Sequence, residues 1–231
     1  MTIICATAPG SASNFLKKKL EFYLNCKSKS LRYTNGIGNL NLKVPLKRRL
    51  LKKLNLNFLD KTPLILGHIF PTDKNMQLLN HYYNPSGYII TYRNIFQQLN
   101  YYYKWQKYNF RCPLSFEDEV NFIDNKKNDF LQNFNIDLNL ILVLKFYQFW
   151  FNLIQKKKII NCELISFDEI VSSNENYQNK IKNILKDSVD FDKDIDSDIN
   201  KNEQFEINQR HKKIINEFIS FYKNIDFSLI I

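Results

Sequence analysis

The first twenty residues constrain the fold more than any other stretch of the chain. Thr2 to Thr7 is a largely apolar, partly β-branched run, the pattern of a strand buried on both faces. Ala8 to Asn14 follows as a run of small residues containing Pro9 and Gly10, where the backbone can turn tightly and approach a ligand closely. Ser13 or Asn14 is then placed to cap a helix whose apolar positions Phe15, Leu16, Leu20 and Leu24 have helical spacing. Strand, small-residue loop and helix N-terminus make an anion site when unpaired N–H groups and the helix dipole converge on one point. An ordinary strand-to-helix turn has the same pattern, so the later segments have to decide between the two.

Those segments repeat the alternation. Thr62 to Pro71 reads as a second buried strand with Gly67 and His68 at its carboxyl end, followed by a short helix over Lys74 to Tyr83 and a turn over Asn84 to Gly87. Tyr88 to Tyr92 is a third strand, with Arg93 and Asn94 at its end and an aromatic-rich helix over Ile95 to Tyr108. A loop around Arg111 and a capped helix start at Ser115 lead to a long apolar helix over Asp137 to Lys158. Ile159 to Phe167 is a fourth strand, ending in Asp168 and Glu169, and helices over Asn176 to Lys186 and Arg210 to Lys223 complete the pattern. Strands alternating with helices predict an α/β domain, a three-layer α/β/α sandwich around a central parallel sheet. In such sheets ligands lie outside the carboxyl ends of the strands, where His68 falls. The chain suits a single domain over 1–231: a core over about 2–186, an acidic loop over 187–206 and a C-terminal helix over 207–225.

Net charge is +10 and unevenly placed, with twelve Lys and Arg in residues 1–60 against Glu21 and Asp60. A basic half beside a phosphate-type loop points to an anionic ligand, although charge alone fits nucleic acid equally well. The tyrosines fall in helical segments, not on an exposed sheet for stacking bases, which argues against nucleic acid. Val44 to Leu54 reads as a basic amphipathic helix with Leu46, Leu50, Leu51 and Leu54 on one face, either a solvated helix or a positive rim over a phosphate ligand. As a membrane-surface helix it is short of aromatic and apolar bulk. Cys5, Cys26, Cys112 and Cys162 form no C-x-x-C pair and no metal spacing, which predicts reduced thiols and a cytoplasmic protein. The first strand starts at residue 2, leaving no signal peptide to expect, and no apolar run is long enough for a membrane span. Asp192 to Glu203 matches much of a calcium-binding EF-hand loop, but Ser197 stands where the turn glycine belongs and there is no partner hand, so no metal is expected. His81 and His211 have no supporting context and read as solvent-facing.

Taken in order, four carboxyl-end features resemble the sulfotransferase family. They are the Thr7-Ala-Pro-Gly-Ser-Ala-Ser-Asn-Phe15 loop, Ile65-Leu-Gly-His68, Tyr88-Ile-Ile-Thr-Tyr-Arg-Asn94 with Tyr101-Tyr-Tyr103, and Phe149-Trp150 with Cys162-Glu-Leu-Ile-Ser-Phe-Asp-Glu-Ile170. The resemblance covers roughly residues 2–186 and implies a P-loop NTPase-like sulfotransferase fold. It implies transfer of a sulfonyl group from 3′-phosphoadenosine 5′-phosphosulfate (PAPS) to a hydroxyl or amine of a small-molecule or glycan acceptor. It further implies His68 as catalytic base, Pro9, Gly10, Ser11, Ala12, Ser13 and Asn14 as the phosphosulfate loop, and Arg93, Asn100 and Tyr101 around the 3′-phosphate.

The chain departs from the family pattern in several places. Gly10 stands where the loop usually has Lys or Arg, Ala12 where it has Gly, Ile95 where it has Pro, and Tyr101 where it has Ser. The family's C-terminal R-K-G is not visible. Lys17, Lys47 or Arg48 would have to supply the missing loop charge, and Arg210, Lys212 or Lys213 the C-terminal one. The absent loop cation favours an alternative, a weakly active or inactive family member that binds nucleotide or a protein partner. A P-loop kinase or NTPase fits less well, because G-x-x-x-x-G-K-[ST] occurs nowhere.

Overall fold

The computed structural model describes residues 1–8, 10–33, 42–56, 62–98, 127–186, 191 and 209–231, with backbone alone for 32–33 and 127–139. Pro9, Asn100, Tyr101, the surroundings of Arg111 and Ser115, and the Asp192–Glu203 segment lie outside the described residues.

The elements run β1 (Ile3–Thr7), α1 (Ser13–Tyr23), β2 (Lys29–Ser30), β3 (Arg32–Tyr33), β4 (Leu42–Lys43), α2 (Leu46–Lys53), β5 (Leu64–Gly67), α3 (Asp73–Tyr83), β6 (Gly87–Tyr92), α4 (Lys127–Gln155), β7 (Cys162–Ser166), α5 (Phe167–Ser172), α6 (Glu175–Leu185) and α7 (Gln209–Phe221). Five strands form one sheet in the order β2-β5-β1-β6-β7, all parallel, while β3 and β4 pair antiparallel apart from it. β1 is central and wholly buried, which is why its side chains are apolar on both faces.

Alternation along the strands separates two cores. Ile3, Cys5, Leu64, Leu66, Ile89 and Ile165 pack with Leu16 and Leu20 of α1 and with Tyr177, Ile181 and Ile184 of α6. Ile4, Ala6, Ile65, Tyr88 and Ile90 face Leu79 and Tyr83 of α3, the α4 side chains from Leu140 to Phe151, and Ile214, Ile215 and Phe218 of α7. The result is an α/β architecture of three layers, helices covering both faces of a parallel sheet.

Several boundaries differ from the sequence reading, each for a local reason. The fourth strand ends at Ser166, not Phe167, because Ser166 and Glu169 form a reciprocal capping box that starts α5 there. α1 is capped by Ala12, not by Ser13 or Asn14, and no side chain caps it. β2 adds an edge strand in the stretch after α1, too short to show a hydrophobic period. His211 is buried on the inner face of α7, not solvent-facing, whereas His81 is exposed. The amphipathic period of α2 is present, and its leucine stripe is turned outward. Leu46, Leu50 and Leu54 are 62%, 50% and 62% exposed, and Arg48 is the residue turned inward.

One buried cation was invisible in the sequence among so many lysines. Lys19 of α1 is 1% exposed, donates to the Ser173 hydroxyl after α5, and stands 4.6 Å from the Phe15 ring and 5.4 Å from the Tyr177 ring. These contacts tie α1 to α5 and α6.

Candidate functional site

Crossovers leaving neighbouring strands diverge at the centre of the sheet: the chain goes from β1 to the β2–β5 side and from β6 to β7. A crevice opens outside the carboxyl ends at such a switch point. The register aligns those ends, pairing Ala6 with Gly67, Thr7 with Thr91, and Tyr92 with Ser166. The loop after β1, His68 after β5 and Arg93 after β6 therefore meet at one rim.

The first loop owes its shape to alternating backbone hands. Gly10 has φ 77° and Ala12 φ 59°, both in the left-handed region. Left-handed turns of this kind aim successive N–H groups into one concavity, and α1 begins directly behind it with no side-chain cap on its first turn. The conformation accounts for one departure from the sulfotransferase pattern and makes another costly. Gly10 suits its backbone, where a lysine would be strained, whereas Ala12 carries a strain that a glycine would not. Ala12→Gly is expected to stabilise the protein by up to about 1 kcal/mol, the relief of left-handed strain less the glycine's extra unfolded-state entropy. A rise in the urea midpoint without a change in slope would register it.

The Ser11 hydroxyl does not face the concavity. Ser11 is fully buried, with Oγ 2.5 Å from the Ala8 carbonyl oxygen and 2.5 Å from Thr91 Oγ1, while the Ala8 N–H donates to Thr91 Oγ1 at 3.3 Å. One assignment satisfies all three: Ser11 donates to Ala8, Thr91 donates to Ser11, and Ala8 donates to Thr91. This closed ring locks the loop to the end of β6. The Ser11 hydroxyl is therefore engaged within the protein, and only its backbone remains to serve the loop. Ser11→Ala leaves buried partners unsatisfied and is expected to cost about 1–3 kcal/mol, measurable by denaturant unfolding. Ser13 is half-buried and Asn14 exposed, so both have surface at the mouth of the loop.

His68 lies across from this loop. Its Nδ1 is 2.7 Å from the Thr7 carbonyl oxygen and 3.4 Å from Thr7 Oγ1. A carbonyl only accepts, so the pair fixes the tautomer with the proton on Nδ1 and the basic lone pair on Nε2. The residue is exposed at the surface. Desolvation by the surrounding protein lowers its pKa below the ordinary 6.5, against the opposing pull of the Thr7 carbonyl, and so favours the neutral ring.

Arg93 closes the third side. Its Nη1 donates to the Gly10 carbonyl at 3.0 Å, its Nε donates to Gln97 Oε1 at 3.2 Å, and its guanidinium carbon lies 3.7 Å from the centre of the Phe167 ring. One cation thus joins the loop after β1 to the start of α5 after β7. Burial lowers its pKa while Asp168 and Tyr147 oppose the shift, and an arginine remains charged throughout. The other cations read as substitutes for the missing loop charge are engaged elsewhere or turned outward. Arg48 Nε donates to the Tyr82 carbonyl at 2.7 Å, Lys17 is 3.9 Å from Glu21 on its own helix, and Lys47 is exposed on α2. Lys213 likewise pairs with Glu217 one turn along α7.

Two α4 residues hold the rim from behind. Trp150 Nε1 donates to the Ile69 carbonyl at 2.8 Å, fixing the chain just after His68. Tyr147 accepts the Arg93 backbone N–H at 3.1 Å and donates to Gln98 Oε1 at 2.8 Å. Both are fully buried and stand one helical turn apart, so one face of α4 positions both His68 and Arg93. Their signal in the sequence is an apolar helix whose aromatic residues carry polar tips; apolar spacing does not reveal this positioning.

Ile95, which stands where the sulfotransferase pattern has proline, uses the N–H a proline would lack: it donates to the Ile230 carbonyl at 2.7 Å. Beside it the Asn94 side chain donates to the Ile231 carbonyl at 2.6 Å and accepts from Phe96 N–H at 3.0 Å. The C-terminal tail is thereby seated against the end of β6.

No family model matches the chain, and no curated protein matches it either. Among the described residues no group of three or more His, Cys, Asp and Glu is placed to hold a metal, and no helix is long and apolar enough to cross a membrane.

Proposed function

We propose that this chain is a divergent sulfotransferase that moves the sulfonyl group of PAPS to the hydroxyl of a small metabolite or carbohydrate. The observation that carries the reading is the Nδ1 contact of His68 with the Thr7 carbonyl, which presents a neutral imidazole as a base at the mouth of an anion-type loop.

In the proposed step the acceptor hydroxyl gives its proton to His68 Nε2 as its oxygen forms a bond to sulfur. The bond from sulfur to the bridging phosphate oxygen breaks, and the electron pair leaves with 3′-phosphoadenosine 5′-phosphate. Backbone N–H groups of Ala12, Ser13 and Asn14, with the positive end of α1 behind them, face the charge that develops on the sulfonyl oxygens and the departing phosphate. Arg93, held to the Gly10 carbonyl, supplies the loop with the positive charge that Gly10 itself lacks. Its planar fork suits a phosphate group on the same rim, so nucleotide binding and loop shape share one side chain.

The test is release of 3′-phosphoadenosine 5′-phosphate from PAPS in the presence of a panel of hydroxyl acceptors. Acceptor-dependent release that the His68→Ala variant loses supports the proposal; its absence with every acceptor contradicts sulfonyl transfer. The residue at position 10 favours a second reading. With glycine where the family has a cation, a protein that binds the nucleotide without turning it over gives ligand binding but no release.

A further inference from the structure

The exposed leucines of α2 cannot be explained as a solvated face. On a helical wheel of about 100° per residue, Leu46, Leu50 and Leu54 fall within one narrow arc, and Arg48 and Lys52 lie opposite them. A helix packed by its apolar stripe would turn those leucines inward. Here the inward residue is Arg48, which is buried, donates through Nε to the Tyr82 carbonyl at 2.7 Å, and stands 5.0 Å from the Tyr83 ring on α3. The arginine anchors the helix by its polar side and thereby rolls the leucine stripe to the surface.

Charge decides what that surface fits. Between Lys43 and Lys53 the chain carries Lys43, Lys47, Arg48, Arg49, Lys52 and Lys53, and no acidic residue. Lys43, Lys47, Arg49 and Lys53 are exposed, and Lys47 on one flank and Arg49 with Lys53 on the other border the leucine arc. We propose that α2 is a docking helix for an anionic phospholipid surface, with the leucines entering the acyl boundary and the bordering cations meeting lipid phosphates. A nucleic acid would use the cations but gives three aligned leucines nothing to enter, whereas a lipid interface uses both. The helix is short, so binding is weak and reversible and depends on both components. The inference is independent of sulfonyl transfer.

The experiment is co-sedimentation of the full chain with vesicles of phosphatidylcholine alone or with about 30 mol% phosphatidylserine, at low salt and at about 0.5 M salt. Binding is expected only to the anionic vesicles and is expected to fall by about tenfold or more at high salt. The triple variant Leu46→Ser, Leu50→Ser, Leu54→Ser is expected to lose vesicle binding while its melting temperature stays within about 2 °C of the parent, because exposed substitutions change stability little. A charge-reversed variant, Lys47→Glu with Lys53→Glu, is expected to lose binding as well. No binding to anionic vesicles overturns the proposal, as does binding that survives loss of the leucines, which would mark a general polyanion surface. If duplex DNA binds and competes the parent protein off the vesicles, and the serine variant still binds that DNA, the face is a nucleic-acid surface. A large fall in melting temperature on the serine substitutions would mean that the chain itself covers the stripe, and also overturns it.

Discussion

His68→Ala is expected to lower acceptor-dependent transfer by about 10²–10⁴-fold, the usual worth of a positioned general base, while nucleotide affinity stays within about twofold of the parent. The asymmetry follows from geometry. The His68 Nδ1 meets the Thr7 carbonyl before the loop begins, and the loop of residues 10–14 is shaped by left-handed backbone at Gly10 and Ala12 and by the Ser11–Thr91–Ala8 ring. Removing the imidazole therefore leaves the anion cradle standing. Equal loss of transfer and binding would make His68 a structural residue. The pH profile provides a second reading of the same group. Desolvation lowers the His68 pKa, so the neutral, proton-accepting form persists to lower pH than in an ordinary histidine. kcat/KM, which reports the free enzyme, is expected to rise with pH through a midpoint below 6.5. A midpoint above that value would contradict the environment described for the ring.

Arg93→Ala is expected to weaken binding of 3′-phosphoadenosine 5′-phosphate by about 10- to 100-fold, the worth of one or two charge-assisted hydrogen bonds. It is also expected to cost about 1 kcal/mol of stability through the lost stacking on Phe167, because the same guanidinium holds the Gly10 carbonyl and covers that ring. Arg93→Lys keeps the charge but not the fork, and a lysine cannot reach the Gly10 carbonyl, stack on Phe167 and present a planar pair of donors at once. It is expected to recover a minor part of the affinity. Isothermal titration of the parent and both variants separates these outcomes, and unchanged affinity in Arg93→Ala would remove the residue from the nucleotide site.

How much of this was legible in the sequence depended on whether a period carried it. β1, β5, α3, β6, α6 and α7 were readable because apolar spacing and flanking small residues agree there, and the positions of His68 and Arg93 at strand ends followed from β5 and β6. The inward turn of Ser11 was not readable, since a hydroxyl between small residues serves a core ring or a ligand equally well. Lys19 and Arg48 were hidden for a similar reason: in a lysine-rich chain nothing local marks the cation that will find aromatic faces or a carbonyl. α2 shows the limit most clearly. Its period was correct, but which side faces the protein was decided by the Tyr82 carbonyl, 34 residues along the chain from Arg48, and by the adjacent Tyr83 ring. The docking of the C-terminal tail on Ile95 was likewise out of reach, because a backbone N–H leaves no mark in composition.

The central claim is that the rim formed by the first loop, His68 and Arg93 binds an adenosine nucleotide carrying a 3′-phosphate. The direct measurement is the melting temperature of the parent protein titrated with 3′-phosphoadenosine 5′-phosphate and, in parallel, with adenosine 5′-phosphate. At about one hundred times the dissociation constant, the first ligand is expected to add about 2.7 kcal/mol, or about 5–10 °C for a chain of this size. The second, lacking the 3′-phosphate, is expected to give a clearly smaller rise at the same concentration. No shift with either ligand at millimolar concentration, or equal shifts with both, would contradict the account.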